Sequence, residues 1–149
     1  MADDDHKVLG MSRDELLAFN DGVAEEFRAN GGRCGGMFEG NPMILVTMTG
    51  ARSGRPRTTP LTYCADGDDC IVMASAGGSP RHPQWYFNLV ANPTVTIERG
   101  AETYEAVATV TEGDDRRGAY DKMVAALPRF ADYQAETDRA IPIFRLART

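Results

Sequence analysis

Between Met43 and Thr111 the chain breaks into short β-branched runs separated by turn residues, and this pattern constrains the fold more than any other feature. Met43–Thr49 is apolar throughout and bounded by Asn41-Pro42 and Gly50, which predicts a buried strand. Thr58–Ala65 predicts a second strand. Pro60 inside it cannot donate to a ladder, so that strand belongs at a sheet edge or a bulge. Asp66-Gly67 supplies a hairpin turn into Cys70–Ala76. Thr94–Arg99 and Thr103–Thr111 alternate apolar and polar residues around Gly100, and Ile143–Ala147 predicts a last strand. Hairpins of this kind, with no βαβ alternation, exclude a Rossmann sheet. They predict a mainly β fold, a small barrel of about six strands with helices packed outside.

The helices announce themselves by their ends. Ser12-Arg-Asp-Glu15 has the spacing of a capping box, and Leu16, Phe19, Val23 and Phe27 follow at helical spacing. An amphipathic helix is therefore expected over residues 12–30, stopped by Asn30-Gly-Gly32. Pro83 suits the start of a short helix over Gln84–Ala91, and Asp114-Asp115 open another that runs to Leu127. The stretch from there to Asp138 reads as irregular. A chain of 149 residues with no linker, repeat or low-complexity segment is expected to form one domain, 1–149.

Charge narrows the function. Acidic residues outnumber basic ones by 22 to 16, for a net charge of −6, which argues against a nucleic-acid binder. No apolar run reaches the ~18 residues of a membrane span. The start, Met1 to Lys7, is acidic and polar, unlike a signal peptide or cationic anchor. A cytoplasmic protein is expected, with the amphipathic helix as the one element suited to peripheral membrane contact. Cys34, Cys64 and Cys70 show no zinc or disulfide spacing, and His6 and His82 are the only histidines, so no metal site is expected.

The distribution of charge is more telling than its sum. No carboxylate lies between Gly40 and Ala65, nor between Cys70 and Ile97, yet Arg52, Arg55 and Arg57 crowd into six positions. Buried strands account for the missing acids but not for the arginines. Thr49-Gly-Ala-Arg-Ser-Gly-Arg-Pro-Arg57 combines glycines that expose amides with guanidinium donors and hydroxyls, a composition suited to phosphate. It is neither a Walker A loop nor a dinucleotide fingerprint. A second loop, Ala74 to Asn88, pairs Gly77-Gly78 with Trp85, Tyr86 and Asn88, which suits a flat ligand close to the backbone. Ser75 and His82 lack the nucleophile elbow and orienting acid of a hydrolase, and His82 reads as a surface loop residue.

Seven ordered motifs carry a resemblance. They are Thr49-Gly-x-Arg-Ser-Gly-x-Pro-Arg57, Pro60-Leu61, Asp66-Gly67, Ala74-Ser-x-Gly-Gly78, His82-Pro-x-Trp-Tyr-x-Asn-Leu89, Asn92-Pro93 and Thr137-Asp-Arg-x-Ile-Pro142. Together they resemble the deazaflavin (coenzyme F-420)-dependent nitroreductase and quinone reductase family, common among actinobacteria. The resemblance implies a split β-barrel of the FMN-binding type and hydride transfer from the reduced 8-hydroxy-5-deazaflavin coenzyme. It implies that Arg52, Ser53 and Arg57 hold the coenzyme's phosphate and anionic tail. Pro60, Ser75, Gly77 and Gly78 would line the ring, with Trp85 and Asn88 beneath it. Ser75 and Tyr133 are the implied hydroxyls for catalysis.

Departures from the family pattern concern the acceptor. Ala51 and Ala76 stand where nitro-reducing members carry cationic side chains, and Thr62, Leu127 and Phe130 stand at tyrosine positions. An apolar quinone- or enone-like acceptor is expected ahead of a nitro compound. Two alternatives stand beside this reading: an FMN-dependent oxidoreductase on the same barrel, and a non-catalytic coenzyme carrier. Monomer and homodimer are both compatible with the sequence.

Overall fold

The structure is a computed structural model and describes residues 12–149; Met1–Lys7 and His6 lie outside that range. Helix α1 (Arg13–Ala29) precedes four strands, β1 (Met43–Thr49), β2 (Pro56–Thr62), β3 (Cys64–Asp66) and β4 (Asp69–Met73). Then follow α2 (Gln84–Ala91), β5 (Thr94–Arg99), β6 (Glu102–Val110), α3 (Gly113–Ala126), α4 (Arg129–Ala135) and β7 (Ile143–Arg148). The capping box forms as its spacing predicts: Ser12 Oγ accepts from Glu15 N–H at 3.3 Å, and Glu15 Oε1 accepts from Ser12 N–H at 3.1 Å.

The seven strands form one sheet in the order β2-β1-β5-β6-β7-β4-β3, antiparallel at every step. Its two edge strands, β2 and β3, are consecutive in the chain with only Tyr63 between them. One residue cannot span a flat seven-stranded sheet, because neighbouring strands alone are ~4.8 Å apart. The sheet must therefore curl until its edges approach. Tyr63 N–H donates to Pro42 O at that seam, at 3.2 Å. The result is the split β-barrel expected from the resemblance. The single strand predicted over Thr58–Ala65 is in fact two, since the chain leaves one edge at Tyr63 and joins the other, raising the count from six to seven. Pro60 lies on the edge strand β2, opposite Leu45, where its missing N–H costs no ladder bond.

Both faces of β1 and β4 are buried, which explains their largely unbroken apolar sequence, whereas β5 and β6 alternate. From β1, Ile44, Val46 and Met48 fill the barrel with Val72, Phe144 and Leu146. Met43 and Leu45 on the other face meet Val23 and Phe27 of α1. Similarly Ile71, Met73 and Ile143 leave the barrel to pack against Met123 of α3 and Phe130 of α4. Deep in the barrel Cys70 Sγ lies 3.6 Å from Tyr104 Oη, and burial pushes the Tyr104 hydroxyl up to about 12. Helix α4 replaces the irregular stretch expected before Asp138. Its seven residues are too few for periodicity to identify, and it is held by Phe130 packing on β4 and β7.

At the far end of the barrel, Arg145 binds Asp66, Asp69 and Asp115, tying the β3–β4 hairpin to the start of α3. Asp115 thus does more than favour the helix dipole. Arg28 of α1 forms a two-pronged pair with Glu98 of β5 at 2.8 and 2.9 Å. These bonds hold the side of the molecule away from the motif loops.

Candidate functional site

The β1–β2 connection is a tight turn bonded to itself. Gly50 N–H donates to Arg55 O at 2.8 Å, and Gly54 N–H returns to Gly50 O at 3.0 Å. Ser53 Oγ accepts from Arg55 N–H at 3.1 Å and sits so close that a Cβ on Gly50 would lie 2.5 Å from it. A Cβ on Gly50 would displace that hydroxyl, and Gly54 holds a φ of +68° that favours glycine. Accepting that bond leaves the Ser53 O–H able to donate outward.

Helix α2 carries the turn. Asn88, only 5% exposed, accepts from Ala51 N–H through Oδ1 at 2.9 Å. One helical turn later, Asn92 Nδ2 donates to Thr49 O at 3.4 Å. The implied coenzyme contact Asn88 thus has a structural task first: its carbonyl is committed to the arginine turn.

The second loop is held from below by a residue to which the sequence reading assigned no role. Arg139 donates through Nη2 to Ala74 O and Ser75 O at 3.1 and 2.9 Å, and through Nε to Ser79 O at 2.9 Å. Its Nη1 lies 3.1 Å from His82 Nδ1. Burial holds the Arg139 guanidinium below its ordinary pKa range. Carbonyls gathered on one cation stabilise a loop whose backbone is strained at Ala76, which has a φ of +47°. Gln134 of α4 completes the frame, donating to Arg139 O and accepting from Ile141 N–H.

The two loops face a cleft of about 1640 Å³, walled by β2, α1, α2 and α4. Arg52, Ser53, Arg57, Pro60, Ser75, Trp85, Asn88 and Tyr133 all line it, although they come from five separate segments. Arg55 does not. Gly78 instead faces α4, where a Cβ would lie 2.5 Å from Glu136 Oε2 and 3.3 Å from Tyr133 O. Its smallness sets how closely the loop packs against the helix carrying Tyr133. Gly77 precedes it in the same turn, Ala76–Gly78. Trp85 is half-buried, packed on Phe144 at 5.9 Å between ring centres, while Phe87 is 47% exposed at the rim.

Three arginines beyond the motif reach the cleft: Arg13 of α1, Arg81 and Arg129 of α4. With Arg52 and Arg57 they make five guanidinium groups, and among the described residues no aspartate or glutamate lines the cleft. A lining with this excess of cations favours an anionic occupant. The rest of the lining includes an apolar set, Leu16, Leu17 and Phe19 of α1 with Phe38, Met73 and Phe130, so that α1 and α4 each bring both an arginine and apolar side chains. His82 is also part of the lining, stacked on Tyr86 at 4.1 Å, not a free surface residue as the sequence suggested. Burial, then Arg139, hold its pKa below the usual histidine range.

Residues 22–147 match the family described as F420H(2)-dependent quinone reductase. The F420H(2)-dependent quinone reductase of Mycobacterium tuberculosis strain H37Rv is 38% identical over 138 residues, which cover 90% of this chain and 91% of that protein. A solved F420-H2 dependent reductase superposes with a TM-score of 0.67 at 42% identity, covering 70% of this chain and 93% of its own. A second structure, described as a domain-swapped dimer, has a TM-score of 0.69 at 35% identity and covers 90% and 98% of the two chains. The family match spans both motif loops and helices α2 and α4, and the chain belongs to the F420H(2)-dependent quinone reductase family, a family of deazaflavin-dependent reductases.

Proposed function

We propose that this protein reduces an apolar quinone- or enone-like acceptor with a hydride from the reduced deazaflavin coenzyme. The observation that carries the reading is the composition of the cleft lining: five arginines and, among the described residues, no carboxylate, together with aliphatic and aromatic side chains. The residues fit the coenzyme in size and charge. The volume exceeds the ~300–1,000 Å³ of an ordinary small-molecule pocket, as a ring with a long anionic tail requires. When bound, the coenzyme supplies the hydride.

The chain's own contribution is binding, orientation and a proton. Arg52 and Arg57, with the Ser53 hydroxyl, hold phosphate and carboxylate oxygens, each charge-assisted bond contributing ~1.5–3 kcal/mol. Pro60, Ser75 and Trp85 flank the ring and shut water from its face. Leu16, Leu17 and Phe19 of α1 cover the acceptor side, so the amphipathic helix serves as a wall of the site. A quinone carbonyl that receives a hydride must also gain a proton. The proton is assigned to the hydroxyl of Tyr133, an α4 residue of the cleft lining, with Ser75, 8% exposed, as the second hydroxyl. Phe130 and Thr62, also in the lining, replace tyrosines expected there and leave the acceptor region poor in donors.

Two further points belong to the same proposal. The functional unit is a homodimer, supported by the solved neighbour described as a domain-swapped dimer. The protein acts in the cytoplasm; no helix among the described residues is long and apolar enough to cross a membrane. The FMN reading finds no support in the relatives. The test is an acceptor screen that follows oxidation of the reduced coenzyme by absorbance. Turnover with menadione or cyclohexenone is expected, and binding without turnover of any acceptor would favour the carrier reading.

A further inference from the structure

His82 and Arg139 form a pair that the reductase reading does not use. Arg139 is half-buried, and the bonds made by its guanidinium all go to neutral groups: three backbone carbonyls and one imidazole nitrogen. A guanidinium has donors and no acceptor, so the nitrogen it meets must be an acceptor. His82 Nδ1, 3.1 Å from Arg139 Nη1, is therefore unprotonated, and the ring's proton resides on Nε2. The ring is fixed on its other sides, stacked on Tyr86 at 4.1 Å and meeting Phe87 edge-on at 5.9 Å. His82 is among the residues that line the cleft.

We propose that Arg139 locks His82 in the Nε2–H tautomer and so makes it a preset hydrogen-bond donor to a carbonyl or phenolate oxygen of the molecule held in the cleft. A donor fixed before binding costs no ordering when the ligand arrives. Its neutrality matters as well, because an imidazolium would place a second cation against Arg139. Arg139 is the charged group facing the ring from the 137–142 segment, and α2 presents the Tyr86 and Phe87 rings. The depressed pKa of His82 agrees with this arrangement. Arg139 acts through His82 and the loop carbonyls and is a positioning residue.

The donor half of the proposal rests on the cleft binding coenzyme and acceptor as proposed above; the tautomer does not. Both are read from one nitrogen-15 long-range correlation spectrum of the full-length protein. The chain has only two histidines, so a His6→Gln variant assigns the signals of His82. In the free protein at pH 8, the spectrum should show protonated Nε2 and unprotonated Nδ1, and the ring should take its second proton only below the usual histidine range. A protonated Nδ1, or a titration at the ordinary pKa near ~6.5, overturns the lock.

Reduced coenzyme and menadione are then added separately. A shift of the Nε2 signal with the first places the acceptor oxygen on the coenzyme, and with the second on the substrate. No shift with either overturns the donor role and leaves the tautomer result standing. His82→Phe keeps the stack on Tyr86 but removes both nitrogens. It should raise the coenzyme Kd or the menadione KM about five- to tenfold, the worth of roughly one net hydrogen bond. His82→Gln, which carries both a donor and an acceptor, should recover most of that loss. Equal loss in both variants would mean that the ring only packs.

Discussion

Asn88 accepts a hydrogen bond from Ala51 N–H at 2.9 Å across 37 residues of sequence, fastening the arginine turn of β1–β2 to the helix that follows the glycine loop. Two motifs that read as separate ligand loops are thus one rigid unit. Asn88→Ala leaves the Ala51 amide without its partner and should cost about 1–3 kcal/mol in denaturant unfolding. Asn88→Asp keeps the accepting oxygen but adds a negative charge beside the arginines. It should retain most of the stability while weakening coenzyme binding. Loss of stability in both variants alike would show that packing, not this bond, carries the effect.

Arg57 and Arg55 lie two residues apart, yet only Arg57 lines the cleft. Arg57→Ala should raise the coenzyme Kd by about 10- to 100-fold, the range of one charge-assisted contact. Arg55→Ala should change it by less than about twofold, as a screened surface charge does. Fluorescence titration of the coenzyme decides the comparison. Equal losses would place the anion on the face of the turn that points away from the cleft.

Tyr133→Phe removes the hydroxyl of α4 and nothing else from the cleft. If that hydroxyl donates the proton, turnover should fall about 100-fold or more with coenzyme affinity unchanged. Unchanged turnover would assign the proton to solvent.

Stability should fall in two separate steps on acidification. His82 is held below its ordinary pKa by burial and then by Arg139, so the folded state binds this proton less well than the unfolded chain. Its contribution is complete above about pH 6.5 and declines as pH falls through the lower, folded-state pKa. Asp66, lowered by Lys122 and Arg145, and Glu98, lowered by Arg28, follow the same sign. Their contributions decline only below about pH 4. Urea unfolding as a function of pH should show both slopes, and His82→Gln should abolish the first while sparing the second.

Local signals in the sequence identified the strands and three of the four α-helices among the described residues, because capping residues, alternation and turn dipeptides act over a few positions. The split at Tyr63 was hidden, since one residue joining opposite edges of a sheet is a property of topology. Helix α4 was hidden for a related reason: Phe130 holds it through contacts with β4 and β7. The same limit applies to the site. The motif residues Arg52, Arg57, Pro60, Ser75 and Trp85 lie in loops or strands whose composition already suggested a ligand. Arg13 and Arg129 join them only when α1 and α4 fold over the cleft. Arg139 stood in a recognised motif, but its role depends on three carbonyls and an imidazole from a loop some sixty residues away.

The central claim is that the cleft holds the anionic reduced coenzyme through the arginines that line it. The most direct test titrates the purified protein with the reduced coenzyme, and with the same deazaflavin lacking its phosphate and acidic tail, each at two salt concentrations. Quenching or enhancement of coenzyme fluorescence should saturate, with affinity falling as salt rises. The tailless deazaflavin should bind at least about tenfold more weakly and with little salt dependence. Equal binding of both molecules, insensitive to salt, or no fluorescence change with either, would contradict the account.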